Sequence, residues 1–348
     1  MLFIICSGFL AHGKAVTEKQ GIEKLIDGWS YRWGQSPVGT DGRLLWTHDN
    51  SSSEWSEMSL PAWAPDRNSN EFLWQRINLG AAFPDARSSV RNPVIFFQGI
   101  YLHFEAYLDG KMLYATGDLN TAEKLPVNSS PWFIIPLSPD FAGKTLALRI
   151  FSSYYLAGIT GVPVLGSESD IMRWMIAGDI DQIVVGAVCL FLSIFAFIIF
   201  FSVGRLREYL YFGIYCFWIG IYTIRYTNIT QLVFGADSFW FLLWLIAIFV
   251  IPIGAIGFLA EIFKPLLRSF MRTLIIFHVV VSLAIIILGL ALPDQFGTFS
   301  MIALRVLYLF YYAVMITQAS LALARKNRDA LLLLIGLLFL VAFGLGDV

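Results

Sequence analysis

The pattern of apolar and polar residues divides the chain into two unlike halves. In the second half, long uncharged runs alternate with short polar segments. Six such runs occur: Ile183–Gly204, Tyr209–Ile224, Ser238–Ala260, Thr273–Pro293, Val306–Ala324 and Ala330–Gly346. Most approach the roughly 20 residues that cross a hydrocarbon core of about 30 Å. The pattern therefore predicts an α-helical transmembrane bundle over residues 183–348.

Basic residues in the connecting segments predict the orientation of these spans. They follow the first, third and fifth runs: Arg205, Arg207, Lys264, Arg268, Arg272, Arg325, Lys326 and Arg328. The alternate connections, 226–237 and 293–298, contain no Lys or Arg. Because cytoplasmic loops carry the excess of basic residues, the first half of the chain is expected outside the cytoplasm.

The first half shows the period-two pattern of β-strands. Phe104, Ala106 and Leu108 alternate with His103, Glu105 and Tyr107, and the latter set is expected on a solvated face. An Asp109-Gly110 turn follows. Strands are predicted at residues 44–48, 73–79, 94–110, 111–117, 132–137 and 145–153. Many short strands separated by turn signals indicate an all-β sandwich over residues 16–170, with a juxtamembrane linker at 171–182.

The N-terminal residues 1–15 are interpreted as a signal peptide, because their apolar part is too short to span a bilayer. Together with the spans, this predicts a multi-pass membrane protein with its N-terminal domain outside the cytoplasm. The net charge of −1 gives no reason to expect a nucleic-acid partner. None of the three cysteines lies in residues 16–170, so that region is expected to have neither disulfides nor a cysteine zinc site.

No motif for catalysis is present in the sequence. The chain lacks a P-loop and the nucleophile-elbow, zincin and dinucleotide-binding signatures. The four histidines, at 12, 48, 103 and 278, are too scattered to indicate a metal site. We therefore expect no enzyme activity, no catalytic residues, no metal and no cofactor.

Candidate ligand-binding residues are mainly aromatic, because flat rings stack on sugar faces. Trp55 and Trp63 lie in a loop-like segment and are the stronger surface candidates. Trp29 and Trp33 are further candidates, and Arg76 is expected either to pair with a carboxylate within the fold or to line the ligand site.

Two residues are candidates for signal coupling. Trp174 lies between the predicted sandwich and the first span, and Arg305 lies inside the fifth span. An ionisable residue inside a span is by default a candidate for function.

Several stretches together resemble a known receptor family. "HFEAYLDGKMLYATGD" (103–118), "FLWQRINL" (72–79), "WFIIPL" (132–137) and "TLALRI" (145–150) are similar to strands of jelly-roll, galactose-binding-like domains. With the spans that follow, the chain resembles bacterial seven-transmembrane receptors with diverse intracellular signalling modules. The resemblance implies seven spans and a cytoplasmic output module. The chain shows six spans and no output module, which leaves a truncated product or a fragment open.

The resemblance favours a membrane sensory receptor. Its outer β-sandwich would bind a small molecule such as a carbohydrate, and its helices would transmit the signal to an output module. The alternatives are a transporter or export component, and a membrane-anchored glycan-binding protein without signalling. The expected partners are the small-molecule ligand and the lipid bilayer, and a homodimer is left open.

Overall fold

The fold is described from a computed structural model of the chain. The structure describes residues 21–48, 54–80, 91–117, 119, 131–153, 156–235, 237–262, 268–291, 293–324, 330–331 and 334–335. The predicted signal peptide lies outside these residues, as does most of the sixth predicted span. The chain divides into two compact units between residues 177 and 178.

The first unit is built from short strands and the second from long helices. The strands are β1 (Ile22–Lys24), β2 (Trp29–Trp33), β3 (Ser56–Met58), β4 (Phe72–Asn78), β5 (Pro93–Phe97), β6 (Gly99–Tyr101), β7 (His103–Leu108), β8 (Lys111–Ala115), β9 (Phe133–Pro136), β10 (Thr145–Phe151), β11 (Gly158–Thr160) and β12 (Val164–Ser167). The helices are α1 (Glu168–Ser202), α2 (Arg207–Arg225), α3 (Ile229–Val233), α4 (Asp237–Ile262), α5 (Arg268–Ala291) and α6 (Pro293–Ala324). The predicted order of a β domain followed by a helical region is confirmed.

Two antiparallel sheets form a β-sandwich. One has six strands in the order β3-β2-β4-β10-β7-β8, and the other has four in the order β1-β12-β5-β9. Side chains alternate along each strand, so every second residue enters the core. Leu73, Phe104 and Leu148 from the larger sheet lie with Ile95 and Ile135 from the smaller one in a single buried cluster.

The hairpin at residues 103–115 follows its prediction closely. β7 and β8 pair antiparallel, with Leu108 opposite Lys111. Asp109 and Gly110 form the turn with φ angles of 45° and 78°. Positive φ at both central residues is the geometry that matches the right-handed twist of the strands.

The predicted strand at residues 44–48 is wrong. Residues Leu45–Thr47 form a 3-10 turn, and Leu44 makes only an isolated bridge with Val38. The predicted strand at 94–110 is instead three strands, β5, β6 and β7. The predicted linker at 171–182 lies within α1, which begins at Glu168.

Four helices among the described residues are long and apolar enough to cross a membrane: α1, and the parts of α4, α5 and α6 at 242–262, 269–288 and 306–324. The second predicted span forms helix α2 but is not one of these four. Its four tyrosines and its terminal charges lower its hydropathy.

Side chains from neighbouring helices satisfy the backbone around Pro252 in α4. Proline has no N–H to donate to the carbonyl of Ile248, four residues earlier. The hydroxyl of Tyr308 on α6 donates to that carbonyl at 2.7 Å. His278 on α5 places its Nε2 2.7 Å from the carbonyl of Phe249. A carbonyl only accepts, so Nε2 is the donor, and His278 is a hydrogen-bonded residue of the bundle interior.

Candidate ligand site and coupling helix

A row of polar and aromatic side chains crosses the outer face of the six-stranded sheet. Leu148 and Ile150 of β10 enter the core, so Arg149 between them points to the opposite face. The register places Arg149 opposite Trp74 of β4 on one side and Glu105 of β7 on the other.

Arg149 and Glu105 form a buried ion pair on this face. Their residues are only 5% and 7% exposed, and Nη1 of Arg149 lies 3.1 Å from Oε2 of Glu105. The same oxygen accepts a hydrogen bond of 2.7 Å from the Tyr107 hydroxyl. Burial, and then the bond to the Glu105 carboxylate, raises the pKa of Tyr107 well above its usual value. The expected solvated face is therefore wrong at Glu105 and Tyr107, because other side chains cover it.

The covering side chains are tryptophans. Trp46 packs edge-on against both Trp55 and Trp74, with ring centroids 6.2 and 5.9 Å away. Two arginines of the sheet lie over these rings: Arg32 is 4.0 Å from the centroid of Trp46, and Arg76 is 3.9 Å from that of Trp55. Such cation–π contacts strengthen when both partners are shielded from water.

We refer to this assembly as the Arg–Trp cluster. Its members are Arg32, Trp46, Trp55, Trp74, Arg76, Glu105, Tyr107 and Arg149. Apart from Nη1 of Arg32, which contacts Glu54, three of its buried N–H groups have no hydrogen-bond partner among the described residues: Nε1 of Trp55, Nε1 of Trp74 and Nε of Arg149. Each such group costs about 1–3 kcal/mol when it is left unpaired away from water. The cluster therefore carries an excess of donors over acceptors.

One segment, residues 35–48, covers the cluster, and we call it the cover segment. Among the described residues, its backbone hydrogen bonds join residues of the segment to each other. The N–H of Gly39 donates to the Arg43 carbonyl, and the N–H of Leu45 donates to the Pro37 carbonyl. In the part of the chain that the structure describes, its contacts with the sheet are made by side chains, as where Nη2 of Arg149 donates to Oε1 of Gln35 at 3.4 Å. Just beyond the segment, Glu54 pairs with Arg32 at 2.5 Å. The cover segment therefore adds no strand to the sheet beneath it.

A second aromatic feature is exposed. Trp63 is 46% exposed, and its ring centroid lies 5.8 Å from that of Tyr101, which is half-buried. An exposed ring of this kind offers a face for stacking. Neither residue belongs to the Arg–Trp cluster.

The first turns of α1 pack on the outer face of the four-stranded sheet. Ile171 and Met175 are buried in one cluster with Val94 and Phe96 of β5. The ring of Trp174 meets that of Phe96 edge-on, at 5.8 Å between centroids. The start of α1 is thus part of the sandwich's hydrophobic packing.

A buried carboxylate lies further along the same helix. Asp179 of α1 accepts hydrogen bonds from the side-chain amide of Asn228 at 3.1 Å and from the backbone N–H of Ile229 at 3.0 Å. These two residues lie at the start of α3, in the connection between α2 and α4. Asp179 therefore fixes α1 to that connection.

The family of the membrane half follows from comparison with known proteins. Residues 180–348 match the family described as 7TM diverse intracellular signalling. The membrane half of the chain is therefore similar to the members of this family. The family resemblance seen in the sequence is therefore confirmed. No curated protein matches the chain.

Solved structures similar to this chain include bacterial glycoside hydrolases. A glycosyl hydrolase family 2 member from Bacteroides cellulosilyticus has 15% identity and a TM-score of 0.30, covering 42% of this chain and 20% of its own. The Parabacteroides merdae β-glucuronidase has 15% identity and a TM-score of 0.30, covering 44% of this chain and 22% of its own. A Bacteroides vulgatus β-glycosidase has 18% identity and a TM-score of 0.29, covering 41% of this chain and 20% of its own. The chain thus spans about a fifth of the length of these structures. A likeness at this level implies neither a shared activity nor a shared ligand.

The tryptophans predicted to bind ligand lie in three different places in the sandwich. Trp29 is 1% exposed in the sandwich core, where its Nε1 donates to the Leu25 carbonyl, and the half-buried Trp33 packs against that core. Trp55 is buried in the Arg–Trp cluster, so its predicted surface position is wrong. Trp63 is exposed as expected.

The predicted charged residues divide in the same way. Arg76 is half-buried in the cluster and donates to the Ser30 hydroxyl at 3.1 Å. Arg305 lies within α6, but its side chain is outside what the structure describes. Arg32, Arg149 and Asp179 are not among the site residues predicted from the sequence. The alternation of apolar and polar residues along this strand does place Arg149 on the face opposite the core, so its side could have been predicted from the sequence.

Proposed function

We propose that this protein is a membrane sensory receptor. Its β-sandwich binds a small molecule, and α1 carries the resulting change in packing to the membrane helices. One observation carries the proposal: a single helix, α1, contributes Ile171 and Met175 to the sandwich's packing and then continues as an apolar span. The family described as 7TM diverse intracellular signalling supports a signalling role for that span.

The same proposal includes a location for the protein in the cell. The protein lies in a bacterial inner membrane with its sandwich outside the cytoplasm, where an external ligand reaches it. The basic residues Arg205 and Arg207, directly after α1, support this orientation because such residues favour the cytoplasmic side. The signal is then delivered to the cytoplasmic ends of the helices.

Two contacts of α1 define the coupling step. Trp174 packs on Phe96 of the sandwich, and Asp179, five residues later, bonds to the start of α3. A ligand shifts this element only by binding one packing arrangement better than the other. A change at the Trp174 contact therefore reaches the α2–α4 connection through one helix.

Replacing Trp174 by alanine is expected to uncouple binding from the helices. The substitution removes the ring that meets Phe96 but touches neither the Arg–Trp cluster nor Trp63. We expect ligands found by thermal-shift screening of full-length protein in nanodiscs to bind as before. The ligand-dependent change in hydrogen exchange of α2, measured by mass spectrometry, should be largely lost.

Ile176→Ala is the matched control, because Ile176 is an exposed residue of the same helix. It should keep both binding and the exchange response. If Trp174→Ala removes ligand binding as well, or leaves the α2 response intact, Trp174 does not have this coupling role.

A further inference from the structure

We infer that the Arg–Trp cluster is a binding site for a small carboxylated ligand. This rests on the proposed function, in which the sandwich binds a small molecule, and it names the place and the chemical class of that molecule. The buried donors of the cluster and its guanidinium groups are the observations behind the inference.

Within the part of the chain that the structure describes, the unpartnered groups of the cluster are all donors. They are Nε1 of Trp55, Nε1 of Trp74 and Nε of Arg149, each on a residue that is more than nine-tenths buried. Trp74 and Arg149 are opposite each other on adjacent strands, and Trp46 packs against both Trp74 and Trp55. Donors gathered on one face in this way are satisfied by a ligand that brings oxygen acceptors.

A carboxylate fits this donor set better than a neutral sugar does. A sugar hydroxyl donates as well as accepts, whereas the unpartnered groups of the cluster among the described residues are donors, and Oε2 of Glu105 already accepts from Tyr107 and Arg149. Glu54 is paired with Arg32. A carboxylate only accepts, and its bonds to charged donors are about twice as strong as neutral ones.

The charges around the cluster also favour an anion in its interior. Three guanidiniums, from Arg32, Arg76 and Arg149, lie on the outer face. Glu105 pairs with Arg149 and Glu54 with Arg32, Arg76 donates to the Ser30 hydroxyl and lies over the ring of Trp55, and a third carboxylate, Glu57, is exposed on the edge strand β3. Aromatic rings beside the guanidiniums lower the local dielectric and strengthen their attraction for an anion.

Access requires only a local movement. The cover segment holds its own backbone hydrogen bonds, from Gly39 to Arg43 and from Leu45 to Pro37. Side-chain contacts join it to the sheet: Arg149 donates a hydrogen bond to Gln35, and the Arg32 guanidinium lies over the ring of Trp46. Lifting it leaves the hydrogen bonds between β2, β4, β10 and β7 intact, so the sandwich stays folded while the donors open to a ligand.

The test compares each carboxylate with its neutral counterpart on the full chain in nanodiscs. The probes are glucuronate against glucose and succinate against succinamide, titrated by thermal shift. We expect at least one carboxylate to raise the unfolding temperature of the sandwich while its neutral counterpart does not. Stabilisation by neither carboxylate, or equal stabilisation by a neutral counterpart, overturns the inference.

Conservative variants then locate the site. Trp55→Phe and Trp74→Phe each remove one donor and keep an aromatic ring, and Arg76→Gln removes one charge. Each is expected to weaken carboxylate binding about tenfold or more, the loss that follows from one charge-assisted hydrogen bond. Trp63→Phe, outside the cluster, is the control and should bind unchanged. If Trp63→Phe alone removes binding, the ligand lies at the exposed pair and the cluster is not its site.

The outcomes separate this inference from the receptor function. If a carboxylate binds at the cluster without any change in hydrogen exchange of α2, the binding site is supported and the receptor mechanism is contradicted. If a neutral sugar changes the hydrogen exchange of α2 and neither carboxylate binds, the receptor function is supported and the carboxylate site is contradicted.

Discussion

Replacing Glu105 by alanine is expected to lower the local stability of the six-stranded sheet by about 3–5 kcal/mol, the usual cost of removing one partner of a buried ion pair. The substitution leaves the Arg149 guanidinium, 5% exposed, without its counter-ion. It also removes the acceptor of the Tyr107 hydroxyl. Water does not readily replace these partners, because the tryptophans of the cluster cover the face.

Hydrogen exchange of the β7 and β10 amides in the full chain measures this loss directly. Glu57→Ala is the matched control, since Glu57 is an exposed glutamate of the same sheet. It should change exchange little. The pair replacement Glu105→Leu with Arg149→Met should recover much of the loss, because no charge is then left buried. If Glu105→Ala behaves like Glu57→Ala, the ion pair is not buried in solution.

Replacing Gly254 by alanine is expected to destabilise the packing of α2 against α4 by about 1–3 kcal/mol, the range for overpacking a tight interior. A Cβ at this position would lie 2.8 Å from the backbone nitrogen and 2.9 Å from the Cα of Tyr215. A backbone does not move aside as a side-chain tip does. The two helices must therefore separate, which also disrupts the close contact between Gly257 and the ring of Tyr211.

Gly178→Ala is the control for this substitution. Gly178 also lies in a helix, but a Cβ there meets nothing within 4 Å. Alanine should be neutral or slightly stabilising at that site, because it loses less backbone entropy than glycine. Unfolding in mixed micelles, monitored by circular dichroism, compares the two variants. Equal stability of Gly254→Ala and Gly178→Ala would show that α2 and α4 do not approach this closely.

The sequence predicted much of the sandwich because period two is a local signal. The strands around Phe104 and Leu148 follow from alternation, and the turn at Asp109-Gly110 follows from the positive φ that Gly allows. The strand prediction failed at 44–48, where Trp46, together with the partly buried Leu44, packs over a sheet instead of joining it. Alternation cannot distinguish a strand from a short apolar segment that lies on one.

The candidate ligand site was harder to predict, because it depends on what covers each face. Trp29 and Trp33 enter the core, so Arg32 between them points to the outer face by the same alternation. The side of each residue was thus readable from the pattern. The burial of Glu105 was not, because it depends on contacts between residues far apart in the chain.

The membrane half was predictable in a coarser way. Long uncharged runs gave the helices, but the tyrosines of α2 make that helix less apolar than the others. The contacts that fix helix positions involve single residues such as Asp179 and Gly254. Hydropathy averages over a window and does not single out such residues.

We propose that ligand binding in the sandwich changes the membrane helices through α1. The most direct measurement places a bimane label at Val203→Cys, an exposed position just beyond the end of α1, in nanodisc-embedded protein. Glucuronate, or the first ligand found by thermal shift, is then titrated. We predict a fluorescence change that saturates at the same ligand concentration as binding and is lost in Trp174→Ala. Saturated binding with no change in label fluorescence would contradict the receptor account.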